Sequence, residues 1–215
     1  MTHLANKKMI VAALIMALIF SGGGVAEAHF PDWVAHLVER LFGIEGTDGS
    51  PSPGWLPPKS TPSFSLSDQD GHLVATEGLR GKVVLIYFLS SQCEGPCLTT
   101  LKDLKVLGRV LGNRMGREVE FLGITLTPER DSPEILKRFA RDMGIDVPGW
   151  RILTGPPQTI KDLIDAYGVY AAPAEYLPVV LFIDQKGKLR KRMAPDLVKV
   201  WGQQDIKWLI EEKVQ

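Results

Sequence analysis

Residues 82–101 read KVVLIYFLSSQCEGPCLTTL and constrain the fold more than any other stretch of the chain. The run 82–89 is nearly all apolar, β-branched or aromatic, and its length suits a central strand buried on both faces. Ser90, Ser91 and Gln92 end it. The loop that follows holds both cysteines of the protein, Cys93 and Cys97. From Cys97 onward the apolar period becomes helical: Cys97, Leu101, Leu104 and Leu111 share one stripe, with Thr100, Lys102, Lys105 and Arg109 mostly off it. Cys97 is therefore expected to start a helix on its core-facing side. Cys93 is expected to be exposed one loop earlier, above the C-terminal edge of the sheet, where open α/β sheets place their chemistry.

The rest of the chain supplies the partners of this unit. Segments 63–66 and 72–75 flank Asp68-Gln69-Asp70-Gly71, a hairpin turn signal. VEFLGITL at 119–126 reads as a second buried strand. Asp131 or Ser132 caps the next helix, with Pro133 in its first turn, Ile135, Leu136, Phe139, Ala140 and Met143 inward, and Gly144 closing it. Residues 150–153 form a short extended piece, and Thr159 is expected to cap a helix with Ile160, Leu163, Ile164 and Tyr167 inward. PVVLFI at 178–183 is a third core strand, turned by 185–188 into 189–193, and a last helix covers about 204–214. This order predicts a thioredoxin-like α/β fold, a central mixed sheet with helices on both faces. A flavodoxin-like sheet is disfavoured, because the late hairpin makes an antiparallel edge.

The N-terminal region has a different character. Lys7 and Lys8 precede a 12-residue apolar run at 9–20, and Ala26-Glu27-Ala28 follows. This is the pattern of a secretory signal peptide at 1–28, cleaved before His29 or retained as an anchor, although a spanning helix needs about 20 apolar residues. Either outcome places the domain outside the cytoplasm, in the periplasm or on the outer face of the membrane, where disulfides persist. Residues 29–42 read as a short amphipathic helix, packed on its own domain or lying on a membrane surface or a partner. Residues 43–62 are rich in Gly, Pro and Ser and read as a linker, so that 29–61 precedes a compact domain at 62–215. The chain carries 25 basic and 25 acidic residues, and removing Lys7, Lys8 and Glu27 leaves 23 against 24. A nucleic-acid binder would show a basic excess, so that class of partner is excluded.

Two cysteines four apart close a loop of about five residues, which in the chain-entropy model is worth roughly 2 kcal/mol. A domain of this length has a substantial core and needs no such staple. A pair between a strand end and a helix N-terminus is better explained by chemistry, since the helix dipole and free N–H groups there stabilise a thiolate. Glu94 opposes that effect. Structural zinc is excluded because it needs four ligands and no further cysteine exists. Copper(I) accepts two soft thiolates. The histidines are His3, His29, His36 and His72, and none lies in the second half of the chain. His72 reads most simply as a solvated hairpin residue.

FSLSDQDGHLV, GKVVLIYFLSSQCEGPCLTTL, GITLTPERDSPEILKRFA, WRILTGPPQTI and YLPVVLFIDQKGKL together resemble the Sco/SenC family over residues 64–190. The resemblance implies a thioredoxin fold and a link to cytochrome c oxidase assembly, with an oxidase subunit as protein client. It also implies copper held on Cys93, Cys97 and a histidine, or thiol–disulfide reduction by the same cysteines. The chain departs from that pattern in three places. The window 171–180 reads AAPAEYLPVV and has no histidine, with Tyr176 or Leu177 near the expected position. Thr127 stands where the family motif DPERD begins with Asp. Gly95-Pro96-Cys97 and Leu177-Pro178 are closer to thioredoxins, in which a cis-proline faces the disulfide, and cis is accordingly expected at Pro178. These departures favour dithiol chemistry with no required cofactor: Cys93 the attacking thiolate, Cys97 the resolving thiol, and Leu177 and Pro178 a wall of the client groove. A peroxiredoxin reading fails, since Ile86 stands where that family needs Pro.

Overall fold

The computed structural model describes residues 52, 54–171, 175–176 and 178–212. The expected signal segment at 1–28, the helix at 29–42 and Leu177 lie outside them. Among the described residues ten strands run in chain order: β1 (Lys59–Ser60), β2 (Ser65–Ser67), β3 (Leu73–Ala75), β4 (Val83–Leu89), β5 (Val119–Thr125), β6 (Trp150–Leu153), β7 (Tyr170–Ala171), β8 (Glu175–Tyr176), β9 (Val180–Ile183) and β10 (Lys188–Met193). Four α-helices accompany them among the described residues: α1 (Gly95–Leu111), α2 (Pro133–Met143), α3 (Pro157–Tyr167) and α4 (Val198–Glu211).

The main sheet has the order β1-β10-β9-β4-β5-β6. Parallel strands β4, β5 and β6 are joined through α1 and α2, β9 lies antiparallel beside β4, and β10 pairs antiparallel with β9. The expected antiparallel edge is therefore present, and the fold is thioredoxin-like. Because side chains alternate across a strand, β4 feeds two cores. Val83, Leu85, Tyr87 and Leu89 join α1, α2 and α4 on one face. Val84, Ile86 and Phe88 join α3 and the β2–β3 hairpin on the other. Every residue of β4 and β5 is buried. Among the described residues no helix is long and apolar enough to cross a membrane.

Three sequence expectations shift. First, α3 begins at Pro157 with Pro156 at its N-cap, so Thr159 lies inside the helix. Second, α4 begins at Val198, six residues before the expected start. Gly202 discourages a helix there by propensity, but it is a point of close approach to α1: a Cβ on it would lie 2.8 Å from Leu107 Cδ2.

Third, the domain begins before residue 62. The Ser52 amide and hydroxyl donate to the Asp205 carboxylate at 2.9 and 2.8 Å. Lys191 Nζ, on β10, donates to the same carboxylate at 2.8 Å and to the Ser52 carbonyl. Trp55 packs on Trp208 with ring centroids 4.4 Å apart, the Leu56 amide donates to the Arg190 carbonyl at 2.7 Å, and β1 pairs with β10. The Gly-, Pro- and Ser-rich stretch is thus, in its second half, a strap over β10 and α4. Its composition conceals this because its partners lie more than a hundred residues away.

Candidate functional site

Strand β4 delivers the chain to the C-terminal edge of the sheet, and five residues separate its last residue from the start of α1. The connecting loop turns on itself at once, with the Cys93 amide donating to the Ser90 carbonyl at 3.1 Å. Glu94 is the N-cap of α1, but its side chain accepts no capping hydrogen bond. Gly95 has φ +53°, a left-handed conformation that a side chain rarely adopts, and this turns the chain into the helix between the two cysteines.

Cys93 and Cys97 are joined in a disulfide with Cα atoms 5.5 Å apart. Cys97 is the third residue of α1 and sits on the stripe that continues through Leu101, Leu104 and Leu111, all buried. The Tyr87 hydroxyl, reaching up from β4, donates to the Cys97 carbonyl at 3.4 Å. Cys93 differs from expectation: it is half-buried, like Cys97, and both pack against the core of this face. The short turn to Ser90 folds it back onto the sheet. The helix N-terminus carries partial positive charge, and α1 has no acidic residue in its first turn, so an anionic sulfur is favoured here after reduction.

Pro178 is half-buried and precedes β9. Tyr87 of β4 pairs with Val180 of β9, so continuing this antiparallel register sets Pro178 beside the end of β4, at the edge that carries the cysteine loop. Tyr176 ends β8 and pairs with Tyr170.

The stretch after β5 contributes residues that sequence reasoning assigned elsewhere. Ser132 is the N-cap of α2, accepting from the Ile135 amide. Asp131 instead turns inward and is 1% exposed. Its carboxylate accepts from the Ser91 amide at 3.2 Å, the Ser91 hydroxyl at 2.5 Å, the Thr127 hydroxyl at 3.0 Å and the Thr125 hydroxyl. A clue lay in the sequence, for Asp131-Ser132-Pro133 offers two cap residues for one cap.

The donor set can be tested against copper. Two thiolates four residues apart suit copper(I), and reduced Cys93 and Cys97 would hold it. An imidazole for copper(II) is harder to find. His72, the histidine among the described residues, lies in the β2–β3 turn, in a cleft with Gly116, Glu120 and Trp150. Those residues mark the starts of β5 and β6, the end of the sheet opposite the cysteine loop.

The SCO1/SenC family model matches residues 56–195. The chain belongs to the SCO1/SenC family. It is 33% identical over 109 residues to the SCO2-like protein RP587 of Rickettsia prowazekii, covering 51% of each chain. The chain spans about half the length of this curated relative and of others it matches. The crystal structure of yeast Sco1 with copper bound is similar at 26% identity and a TM-score of 0.62, over 74% of this chain and 97% of that one. BsSco, described as a member of the Sco family of cytochrome c oxidase assembly proteins with a disulfide switch, shares the fold at 22% identity and a TM-score of 0.63, over 73% of this chain and 96% of that one.

Proposed function

We propose that this SCO1/SenC protein is an exported thiol–disulfide oxidoreductase that reduces a disulfide in a protein client, a copper-site subunit of a respiratory oxidase. One observation carries the reading: a half-buried cysteine pair closes a disulfide at a helix N-terminus while residues 171–180 contain no imidazole to complete a copper(II) site.

In the reducing direction the Cys93 thiolate attacks one sulfur of the client disulfide. A bond forms between Cys93 and that sulfur, the client S–S bond breaks, and the other client sulfur leaves as a thiolate that takes up a proton. Cys97, on the core side of α1, then attacks the Cys93 sulfur. The first client sulfur leaves and is protonated, and Cys93–Cys97 becomes the disulfide. Two electrons pass from the pair to the client, and an external dithiol returns them. Leu177 and Pro178 form one wall of the groove that receives the client chain. Residues 1–28 direct export to the periplasm or the outer face of the cytoplasmic membrane, and the segment 29–42 packs on its own domain or makes peripheral contact with the membrane or a partner.

A second reading, a copper chaperone, draws support from the copper-bound yeast Sco1. There the same two thiolates carry copper(I) as cargo. The two readings separate when reduced protein is titrated with copper(II) beside an assay of disulfide reduction. An oxidoreductase gives reversible dithiol–disulfide cycling and little lasting copper(II)–thiolate absorption. A tight, long-lived copper(II)–thiolate complex overturns the oxidoreductase-first reading.

A further inference from the structure

The Asp131 carboxylate takes no part in the exchange steps, yet it is buried and its four donors are all neutral. An ionised group in that position is costly unless its hydrogen bonds are all made. Two of its donors are the Thr125 hydroxyl at the end of β5 and the Thr127 hydroxyl two residues beyond it. The other two come from one residue, Ser91, which is held by both its amide and its hydroxyl. The two chain ends also meet directly, the Leu126 amide donating to the Leu89 carbonyl at 2.7 Å. Two residues beyond Ser91 stands Cys93, whose amide closes the turn on Ser90.

We propose that Asp131 is a positioning residue for the dithiol. Through Ser91 it holds the loop that presents Cys93 to Cys97, and so it sets the balance between disulfide and dithiol. This rests on reading the pair as redox-active. Cys97 is fixed by the helix that carries it, so the approach of the two sulfurs depends on the loop. A disulfide needs Cα atoms within about 4.4–6.8 Å, and the pair stands at 5.5 Å. A loop released from Asp131 samples other separations, which lowers the effective concentration of one thiol for the other. A network that merely supported the fold would stabilise both redox forms alike. The equilibrium with an external thiol reads only the difference between them.

The test equilibrates the full chain with reduced and oxidised glutathione, where two glutathione thiols and the protein disulfide give the protein dithiol and one glutathione disulfide. Alkylation followed by mass measurement counts the dithiol, and urea unfolding of each redox form is measured in parallel. Ser91→Ala is expected to move the constant toward the dithiol by about threefold or more, while Ser91→Thr, which keeps the hydroxyl, stays near wild type. Asp131→Asn moves it further, because an amide oxygen cannot serve four donors. If that variant does not fold, the Ser91 pair decides alone. A wild type that cycles beside a Ser91→Ala variant with an unchanged constant overturns the positioning role and leaves the oxidoreductase reading intact. A wild type that does not exchange with glutathione overturns both.

Discussion

Asp205→Asn should cost far more stability than its small change in shape suggests. The Asp205 side chain is fully buried and that of Lys191 is 5% exposed. The carboxylate receives the Lys191 ammonium, the Ser52 amide and the Ser52 hydroxyl within 2.8–2.9 Å. The amide substitution removes the counter-charge, and its single oxygen cannot accept from the ammonium and both Ser52 donors as the two carboxylate oxygens do. Removing one member of a buried ion pair costs about 3–5 kcal/mol. At this domain size each kcal/mol is worth about 2–4 °C, so the midpoint should fall by roughly 6 to 20 °C. Adding Lys191→Met removes the stranded charge and should recover about 2 kcal/mol, since replacing both partners of a buried pair is often near neutral. Urea unfolding followed by tryptophan fluorescence reads the cycle, with Trp55 and Trp208 beside the substituted pair. A loss below about 1 kcal/mol for Asp205→Asn at an unchanged denaturant slope would refute the argument, as would a Lys191→Met substitution that adds to the loss.

Three further outcomes follow from the site and its support. Cys97→Ser should accumulate mixed disulfides through Cys93, whereas Cys93→Ser should be largely inert to alkylation; faster alkylation of Cys97 in the native reduced protein would reverse the roles. Tyr176→His should strengthen copper(II) binding if position 176 faces Cys93, measured as thiolate-to-copper absorption that outlasts that of the unsubstituted protein. Gly149→Ala should lose about 3 kcal/mol or more in urea unfolding, because φ is +83° and the added Cβ would lie 2.4 Å from the Gly116 amide nitrogen; an unchanged midpoint would show that the two loops separate easily.

The centre of this molecule was readable because its signals are local. Strand β4 is an unbroken apolar run, and Cys97 begins a stripe that stays in register to Leu111, so strand, loop and helix follow from a continuous apolar run giving way to a period of 3.6. Ser132-Pro133 at one end of α2 and Gly144 at the other bracket that helix in the same local way. Where reading failed, the deciding interactions were distant. Lys191 sits in the run KLRKRM, which looks like a solvated strand, and only Asp205 and Ser52 explain its burial. Gly202 argues against a helix until Leu107 of α1 is brought against it. Asp131 looked like a helix cap because Ser91 lies 40 residues earlier, and nothing near Asp131 in sequence points to it.

The strap has a consequence for how copies of this chain behave toward one another. A sheet margin with free N–H and C=O groups is a template for another strand. Here one margin is closed by β1 and the Leu56 amide lying along β10. The other, β6, is capped by the Gln69 side chain, which accepts from the Ile152 amide at 2.8 Å, and just past its end by the paired amide–carbonyl bonds between Ser67 and Thr154 at 2.9 Å. A chain shortened to start at Thr61 would uncover β10, where Lys188 is half-buried and Arg192 exposed. Like charge across two such margins would keep the copies apart in dilute buffer. Salt near 1 M shrinks the screening length to about 3 Å and removes that protection. The shortened protein should therefore self-associate as salt is raised, whereas the chain that keeps its strap should not.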